Sequence, residues 1–262
     1  MRAALAQLRP EPGDLQANLR RALETLARCG DADLLLLPEL FLSGYELSDP
    51  AAVSIELDGP ELAELRAAAR EAATAVVVGA AERVEGGIAN SAICVSRTGE
   101  LAGVYRKTHL FGAEADVYLP GSELVTVELE GRRVGLMVCF DIEFPEVART
   151  LALRGADLLL TISANPVEFR RDHDVFAAAR ALENELPHLY VNRVGEQHGI
   201  EFAGSSMAVN QEGEVVAQGV PDAEDLLFAE IGDAGRRDAR TRYLSLVRPA
   251  LYGSVGPWPK QR

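Results

Sequence analysis

Cysteine, histidine and tryptophan are scarce in this chain: three, four and one among 262 residues. The cysteines Cys29, Cys94 and Cys139 are odd in number, and no CxxC or Cys/His cluster has metal-ligand spacing. A disulfide framework is therefore not expected, nor a structural metal, and the pattern agrees with a reducing compartment. No stretch approaches the roughly 20 consecutive apolar residues that a membrane span requires. The N-terminal MRAALAQLRPEPGDL has too short an apolar run for a secretion signal. A cytoplasmic protein with no membrane partner is expected. Basic residues are in deficit too: 26 Lys and Arg against 40 Asp and Glu give a formal charge of −14. That balance argues against a nucleic-acid partner, whose phosphates need a basic surface. Also missing is a Pro/Gly/Ser-rich linker, so residues 1–262 read as one domain. Apolar residues at 48% suffice for a large core.

Helical and strand patterns alternate, which points to α/β architecture. Asp14 can cap a helix through about Cys29, with Leu15, Leu19, Leu23 and Leu26 near helical spacing and Gly30 as its stop. Asp33 to Leu37 follows as a short buried strand ended by Pro38. A second helix is expected over about Glu61 to Ala72, and another buried strand over Ala75–Ala81. The chain then repeats itself. The helix end, glycine and buried strand of Leu26 to Leu36 have an echo in Leu151 to Leu160. Ser91 to Glu100 has another in Ser205 to Glu214, each a strand and glycine turn with the serine eight residues before the glycine. Two pairs in the same order predict two related halves. From Gly232 onward the character changes. Gly235 to Tyr243 is a short basic helix candidate, and Pro249, Tyr252, Pro257 and Trp258 follow in an extended tail, so 232–262 is expected to lie at a subunit interface.

Three polar residues stand where buried strands stop, the places where α/β folds collect chemistry. Glu39 follows Leu34–Leu37 and Pro38; a lone Glu is more often a solvated loop carboxylate, but Leu-Pro-Glu-Leu-Phe sets this one among apolar neighbours. Desolvation there would raise its pKa toward general-base range. Lys107 lies in Val104-Tyr-Arg-Lys-Thr-His-Leu-Phe111, after the first hairpin, where an exposed lysine would be ordinary. Cys139 follows Arg133-Val-Gly-Leu-Met-Val138 at a strand-to-turn-to-helix junction. A free cysteine is most often a small buried hydrophobe, the role assigned to Cys94 inside its strand. At the junction, backbone amides and a nearby cation would favour the thiolate, so Cys139 is expected to have the lowered thiol pKa.

On these residues the chain resembles the nitrilase superfamily of carbon–nitrogen hydrolases. The family's three signatures match here as Leu37-Pro-Glu-Leu40, Tyr105-Arg-Lys-Thr-His109 and Val138-Cys-Phe-Asp-Ile-Glu-Phe-Pro-Glu146, and the likeness extends to Arg180-Ala-Leu-Glu-Asn184 and Gly204-Ser-Ser206. The resemblance implies a four-layer α-β-β-α sandwich with two related halves, pairing with a second subunit as a homodimer or higher homo-oligomer. It also implies roles: Cys139 as nucleophile, Glu39 as general base and acid, and Lys107 with the Phe140 backbone amide as the oxyanion's partners. Glu114, seven residues after Lys107, matches a second supporting carboxylate. Tyr45, Phe140, Glu143 and Asn165 are the implied substrate-binding residues, with no cofactor and no metal.

The implied reaction is hydrolysis of a small linear amide through an acyl thioester, and the branch most resembled acts on aliphatic or ω-amino amides. The alternatives are a nitrilase or an N-carbamoyl-amide hydrolase using the same Glu-Lys-Cys site. Members acting on nitriles typically carry Trp after the cysteine, where this chain has Phe140. Glu143 and Glu168 would suit an amine-bearing substrate, although Glu143 would equally cap the following helix. A Cys–His hydrolase is a different class, for which His109 is the available base. For assembly, the small residues of Ala177 to Leu182 would admit a partner helix, and the family contact implies the helix at about Phe144 to Leu153.

Overall fold

The computed structural model describes residues 1–232, 240 and 242–251. Most of the Gly235–Tyr243 helix candidate, and Tyr252, Pro257 and Trp258, lie outside the described residues. The first half begins with β1 (Arg2–Gln7), α1 (Leu15–Arg28), β2 (Leu34–Leu36), α2 (Pro60–Ala72), β3 (Ala75–Val84), β4 (Gly87–Val95) and β5 (Leu101–Arg106). Asp14 caps α1 by accepting the Ala17 amide at 2.9 Å, and Gly30 takes the left-handed φ of 62° that stops it. Pro60 starts α2, where its missing N–H costs nothing. After one helical turn, α3 (Glu114–Val117), the second half runs β6 (Thr126–Leu129), β7 (Arg132–Val138), α4 (Pro145–Leu153), β8 (Leu158–Ser163), α5 (Arg170–Asn184) and β9 (His188–Asn192). The hairpin β10 (Val194–Gln197) and β11 (Ile200–Ala203) follows, then β12 (Met207–Val209), β13 (Val215–Gln218), β14 (Asp225–Glu230) and the short α6 (Tyr243–Leu246).

Two six-stranded sheets result, ordered β14-β1-β2-β3-β4-β5 and β6-β7-β8-β9-β12-β13. In the first, β1, β2 and β3 are parallel and β4 and β5 return antiparallel. In the second, β7, β8 and β9 are parallel and β12 and β13 return antiparallel. The open edge is closed in each by one antiparallel strand, β14 on β1 and β6 on β7. The two sequence echoes fall on matching places: α1 into β2 against α4 into β8, and β4 against β12.

Period-two alternation decides which side chains meet. Ala3, Leu5, Leu34, Leu36 and Val77 of the first sheet pack on Leu136, Val138, Leu158, Leu160 and Val191 of the second. The alternate residues Ala4, Ala6, Leu35 and Val76 face Leu19, Leu26, Leu62 and Leu65 of α1 and α2. Beyond the second sheet, Met137 and Leu159 meet Val147 and Leu151 of α4, while Tyr190 and Met207 meet Ala177 and Ala181 of α5. Helices, sheet, sheet and helices make the α-β-β-α sandwich. Ala177 and Ala181 thus spend their small faces on the chain's own core, while Ala178, Ala179 and Leu182 of the same stretch stay partly or fully exposed. Among the described residues, no helix is long and apolar enough to cross a membrane.

Candidate active site

The strand ends of the two halves converge. Glu39 follows β2 by three residues, Lys107 directly follows β5, and Cys139 directly follows β7. Glu39 and Lys107 are fully buried, as is Glu114 at the start of α3. Lys107 Nζ donates to Glu39 Oε1 at 2.7 Å and lies 2.9 and 2.8 Å from the two Glu114 oxygens. One ammonium is thereby held between two carboxylates. Asn90 Nδ2 gives Glu39 Oε1 a second hydrogen bond at 2.7 Å, and the Ala164 amide, just past β8, donates to Oε2 at 2.7 Å. Tyr45 Oη and the Phe111 amide complete Glu114, each at 2.9 Å.

Burial raises the Glu39 pKa and the Lys107 ammonium opposes it, with the net direction upward, as the apolar flanks predicted. Lys107 is held well above its ordinary value: burial would lower it, but the Glu114 and Glu39 carboxylates outweigh that. Cys139 corrects an expectation. Burial, with the Glu39 carboxylate, pushes its thiol up, and Lys107 only partly offsets this. The resting group is a thiol rather than a preformed thiolate, so its proton must leave as the sulfur attacks. Cys29 and Cys94 are raised by burial as well, to about 11 and about 12.

Cys139 carries a φ of 45°, a left-handed conformation that is uncommon for a residue with a side chain. Asp141, two residues on, fastens this turn. Its Oδ2 accepts the Val138 amide at 2.9 Å and the Tyr105 hydroxyl at 2.8 Å. Its Oδ1 accepts the Thr108 hydroxyl at 2.9 Å, the His109 amide at 3.1 Å and faces His109 Nδ1 at 2.8 Å. Asp141 thus ties the cysteine turn to the strand end that carries Lys107. His109 is spent on this clasp and stacks on Phe144 at 3.9 Å, which leaves it no place as base to Cys139.

Cys139 opens into a narrow pocket lined by Tyr45, Phe111, Phe140, Glu143, Ala164, Asn165, Pro166, Phe169 and His173. All four expected substrate-binding residues are in this wall. Phe111 sits edge-on to Phe140 and Phe169, with ring centres 5.3 and 5.8 Å apart. The Asn165 side chain donates to the Phe169 carbonyl at 3.1 Å, so it shapes the wall. Glu143 does not cap α4, whose N-cap is Phe144 without a side-chain bond; its carboxylate lies 3.5 Å from His173 Nε2. Glu168 is not part of the wall. A larger groove, lined by Glu56, Glu82, Arg106 and Gly121, contains none of these groups.

Sequence reasoning missed Asn90, Asp141, Ser163 and Arg193. Ser163 accepts the Tyr190 hydroxyl at 3.1 Å. Arg193 is fully buried, with its guanidinium 4.0 Å over the Phe202 ring and Nη1 donating to Gln197 Oε1 at 2.9 Å. Gln197 in turn holds the Tyr45 backbone at both amide and carbonyl. Only Asp141 carried a signal, since it lies inside the cysteine signature.

A buried carboxylate pair around a lysine, beside a strained cysteine, can deliver a nucleophile, move its proton and hold an oxyanion. The carbon–nitrogen hydrolase family profile fits residues 2–241. A protein described as "Hydrolase in pqqF 5'region" from Pseudomonas protegens is 39% identical over 97% of this chain and 92% of its own. An (R)-stereoselective amidase from Pseudomonas sp. is 42% identical over 82% of this chain and 80% of its own. The solved NitN amidase from Nesterenkonia sp. AN1 superposes with a TM-score of 0.87 at 31% identity, covering 97% of this chain and 98% of that one. A variant of that amidase has been solved in complex with butyramide. With profile, relatives and fold in agreement over nearly its whole described length, the chain belongs to the carbon–nitrogen hydrolase family.

Proposed function

We propose that the protein hydrolyses small linear carboxamides to a carboxylic acid and ammonia through an acyl thioester on Cys139. The observation that carries this reading is the Lys107 ammonium set between Glu39 and Glu114, in the electrostatic field of the Cys139 thiol. As Cys139 Sγ bonds to the amide carbon, its proton passes to Glu39 and the carbonyl oxygen takes the negative charge. Lys107 Nζ and the Phe140 amide stabilise that oxygen, each donor contributing roughly 3 kcal/mol. The C–N bond then breaks as Glu39 gives its proton to the departing ammonia. Glu39 next takes a proton from water, whose oxygen attacks the thioester, and the acid leaves as the thiol reforms. Two moderate steps replace one difficult one. Glu114 acts on Lys107, keeping it charged and aimed.

The aromatic wall of Phe111, Phe140 and Phe169 favours a short apolar acyl chain, and butyramide bound to the Nesterenkonia amidase is a compound of that size. An ammonia-release screen over short aliphatic amides, ω-amino amides, carbamoyl amino acids and nitriles tests the reading. Short aliphatic amides should be turned over fastest. Turnover confined to nitriles or carbamoyl amino acids would overturn it.

The same reading extends to a homodimer. Leu153 of α4 and Val175 and Leu182 of α5 are exposed at 56%, 55% and 38%, an apolar set on neighbouring helices that suits an interface. Light scattering should give twice the 28.2 kDa chain mass at micromolar concentration. A mass equal to one chain would defeat this part alone.

A further inference from the structure

The hairpin of β10 and β11 forms a small sheet of its own, apart from the two sheets of the sandwich. Its backbone is fastened to both halves: the Val194 amide donates to the Leu8 carbonyl at 3.2 Å, and the Arg193 amide to the Ser163 carbonyl at 3.3 Å. Arg193 enters the hairpin from β9, Gln197 ends β10, and Phe202 of β11 pairs with Gly195 across the strands. All three side chains are buried, and they converge on Tyr45 in the loop that follows β2. Gln197 Oε1 accepts the Tyr45 amide at 3.0 Å, and Gln197 Nε2 donates to the Tyr45 carbonyl at 3.1 Å. Arg193 Nη1 donates to the same Oε1 at 2.9 Å. The Phe202 ring stands edge-on to Tyr45 with centres 5.6 Å apart, and the Arg193 guanidinium lies 4.0 Å over it.

Each of these bonds has one direction. With Oε1 taking two N–H groups, the Gln197 amide can face Tyr45 in a single sense, since the reverse would set its NH2 against two donors. The far end of Tyr45 reaches the catalytic centre. Its Oη donates to Glu114 Oε1 at 2.9 Å, the oxygen that also accepts Lys107 Nζ at 2.9 Å. Two donors thus share one carboxylate oxygen, and the Tyr45 hydroxyl draws off charge that would otherwise grip the ammonium. Lys107 is then freer to turn its own charge on an oxyanion.

Stability alone does not account for the Arg193 guanidinium. Its Nε and Nη2 find no acceptor among the described residues, and burial, with Arg9 adding to it, lowers its pKa to about 9 against the opposing pull of Glu39 and Tyr45. An apolar side chain of similar volume would fill the space without desolvating a charge. What the guanidinium adds is a fixed partner for Gln197 and a cation–π contact that seats Phe202. We infer that Arg193 is a positioning residue for the Glu39–Lys107–Glu114 centre: through Gln197 and Phe202 it fixes Tyr45, whose hydroxyl sets the Glu114 carboxylate against Lys107. This rests on the hydrolysis proposed above, which loss of turnover in Cys139→Ala checks separately.

The test is a double-mutant cycle on butyramide hydrolysis, with Arg193→Met, Gln197→Met and Tyr45→Phe made singly and the first two also combined with the third. Tyr45→Phe should lower kcat about tenfold, as for a lost bond to a charged acceptor, with KM within about twofold. Arg193→Met and Gln197→Met should each lower kcat several-fold. Added to Tyr45→Phe, either should cost less than about twofold more, because the hydroxyl it acts through is already gone. A merely structural role would make the losses multiply. Gln197→Met keeps the length of the side chain and leaves Arg193 in place, so the cycle reads out even if Arg193→Met folds poorly. In a crystal structure of Gln197→Met, the Tyr45 hydroxyl should stand out of hydrogen-bond reach of Glu114, a readout that needs no turnover. Multiplying losses, wild-type kcat in any folded single variant, or an undisturbed Tyr45–Glu114 bond in that structure would overturn the inference.

Discussion

Gly79 lies directly beneath Glu39: a Cβ at position 79 would stand 2.6 Å from the Glu39 Cα and 2.3 Å from the Pro38 carbonyl oxygen. The Pro38–Leu40 backbone rests on β3 at this point, with the Gly79 amide donating to Pro38 O at 3.2 Å. Both clashes are with backbone, which cannot swing away. Gly79→Ala should therefore lift Glu39 off its Lys107, Asn90 and Ala164 partners and lower kcat at least about tenfold, since small misplacements of reacting groups are costly. Steady-state kinetics with a thermal melt check it; full activity at an unchanged melting temperature would show that the backbone gives way without moving the carboxylate.

Glu39→Gln keeps the shape of the side chain and removes the proton acceptor. Turnover should drop at least ~100-fold, the usual loss for an acid–base group. Lys107→Ala should cost a similar factor by removing an oxyanion partner. Because the Cys139 thiol is pushed up, alkylation of Cys139 should also slow in Glu39→Gln, with Cys29 and Cys94 protected by their burial. Peptide mapping after iodoacetamide treatment decides this, and labelling of Cys29 or Cys94 in step with lost activity would reassign the nucleophile.

Asp141→Asn replaces a carboxylate oxygen by a donor in a place where the Val138 and His109 amides and the Tyr105 and Thr108 hydroxyls already donate. Some of those donors must lose their acceptor, at a cost of about 2–3 kcal/mol. Denaturant melts should show that loss, and kcat should fall with it because the Cys139 turn and the Lys107 strand end part company. A variant as stable and active as wild type would remove Asp141 from this role.

His188 is buried between the Thr161 hydroxyl at 2.8 Å and the Ala177 carbonyl at 3.1 Å, and burial lowers its pKa from 6.5 to about 4. Below its ordinary value the unfolded chain takes up a proton that the folded chain refuses. Stability from this group is therefore complete above about pH 6.5 and is lost as pH falls toward 4, by about 3 kcal/mol. In His188→Gln the difference in unfolding free energy between about pH 7 and about pH 4 should shrink by that amount. An unchanged acid dependence would place the loss on other groups.

The repeat was legible in the sequence because helix end, glycine and buried strand are local patterns, and they recur at α1–β2 and α4–β8. Glu39, Lys107 and Cys139 stood out for the same reason, each ending a readable strand. Their partners did not. Asn90 and Ser163 sit inside strands whose apolar neighbours say only that they are buried, and their value comes from contacts across 27 to 51 residues of chain, as in Tyr190 to Ser163 and Asn90 to Glu39. The thiol's direction was misread because a strand-to-helix junction suggests helpful amides but does not reveal full burial beside a carboxylate.

Glu39 and Lys107 hang from one sheet, while Cys139 and Ala164 hang from the other, and the Ala164–Glu39 and Tyr105–Asp141 bonds bridge them. Turnover is thereby a gauge of how the two halves are docked. A slip of about an ångström between the sheets is enough to disarm the chemistry, yet each sheet keeps its own ladder of bonds. On gentle heating, catalysis should fade while the strand signal in circular dichroism is still intact.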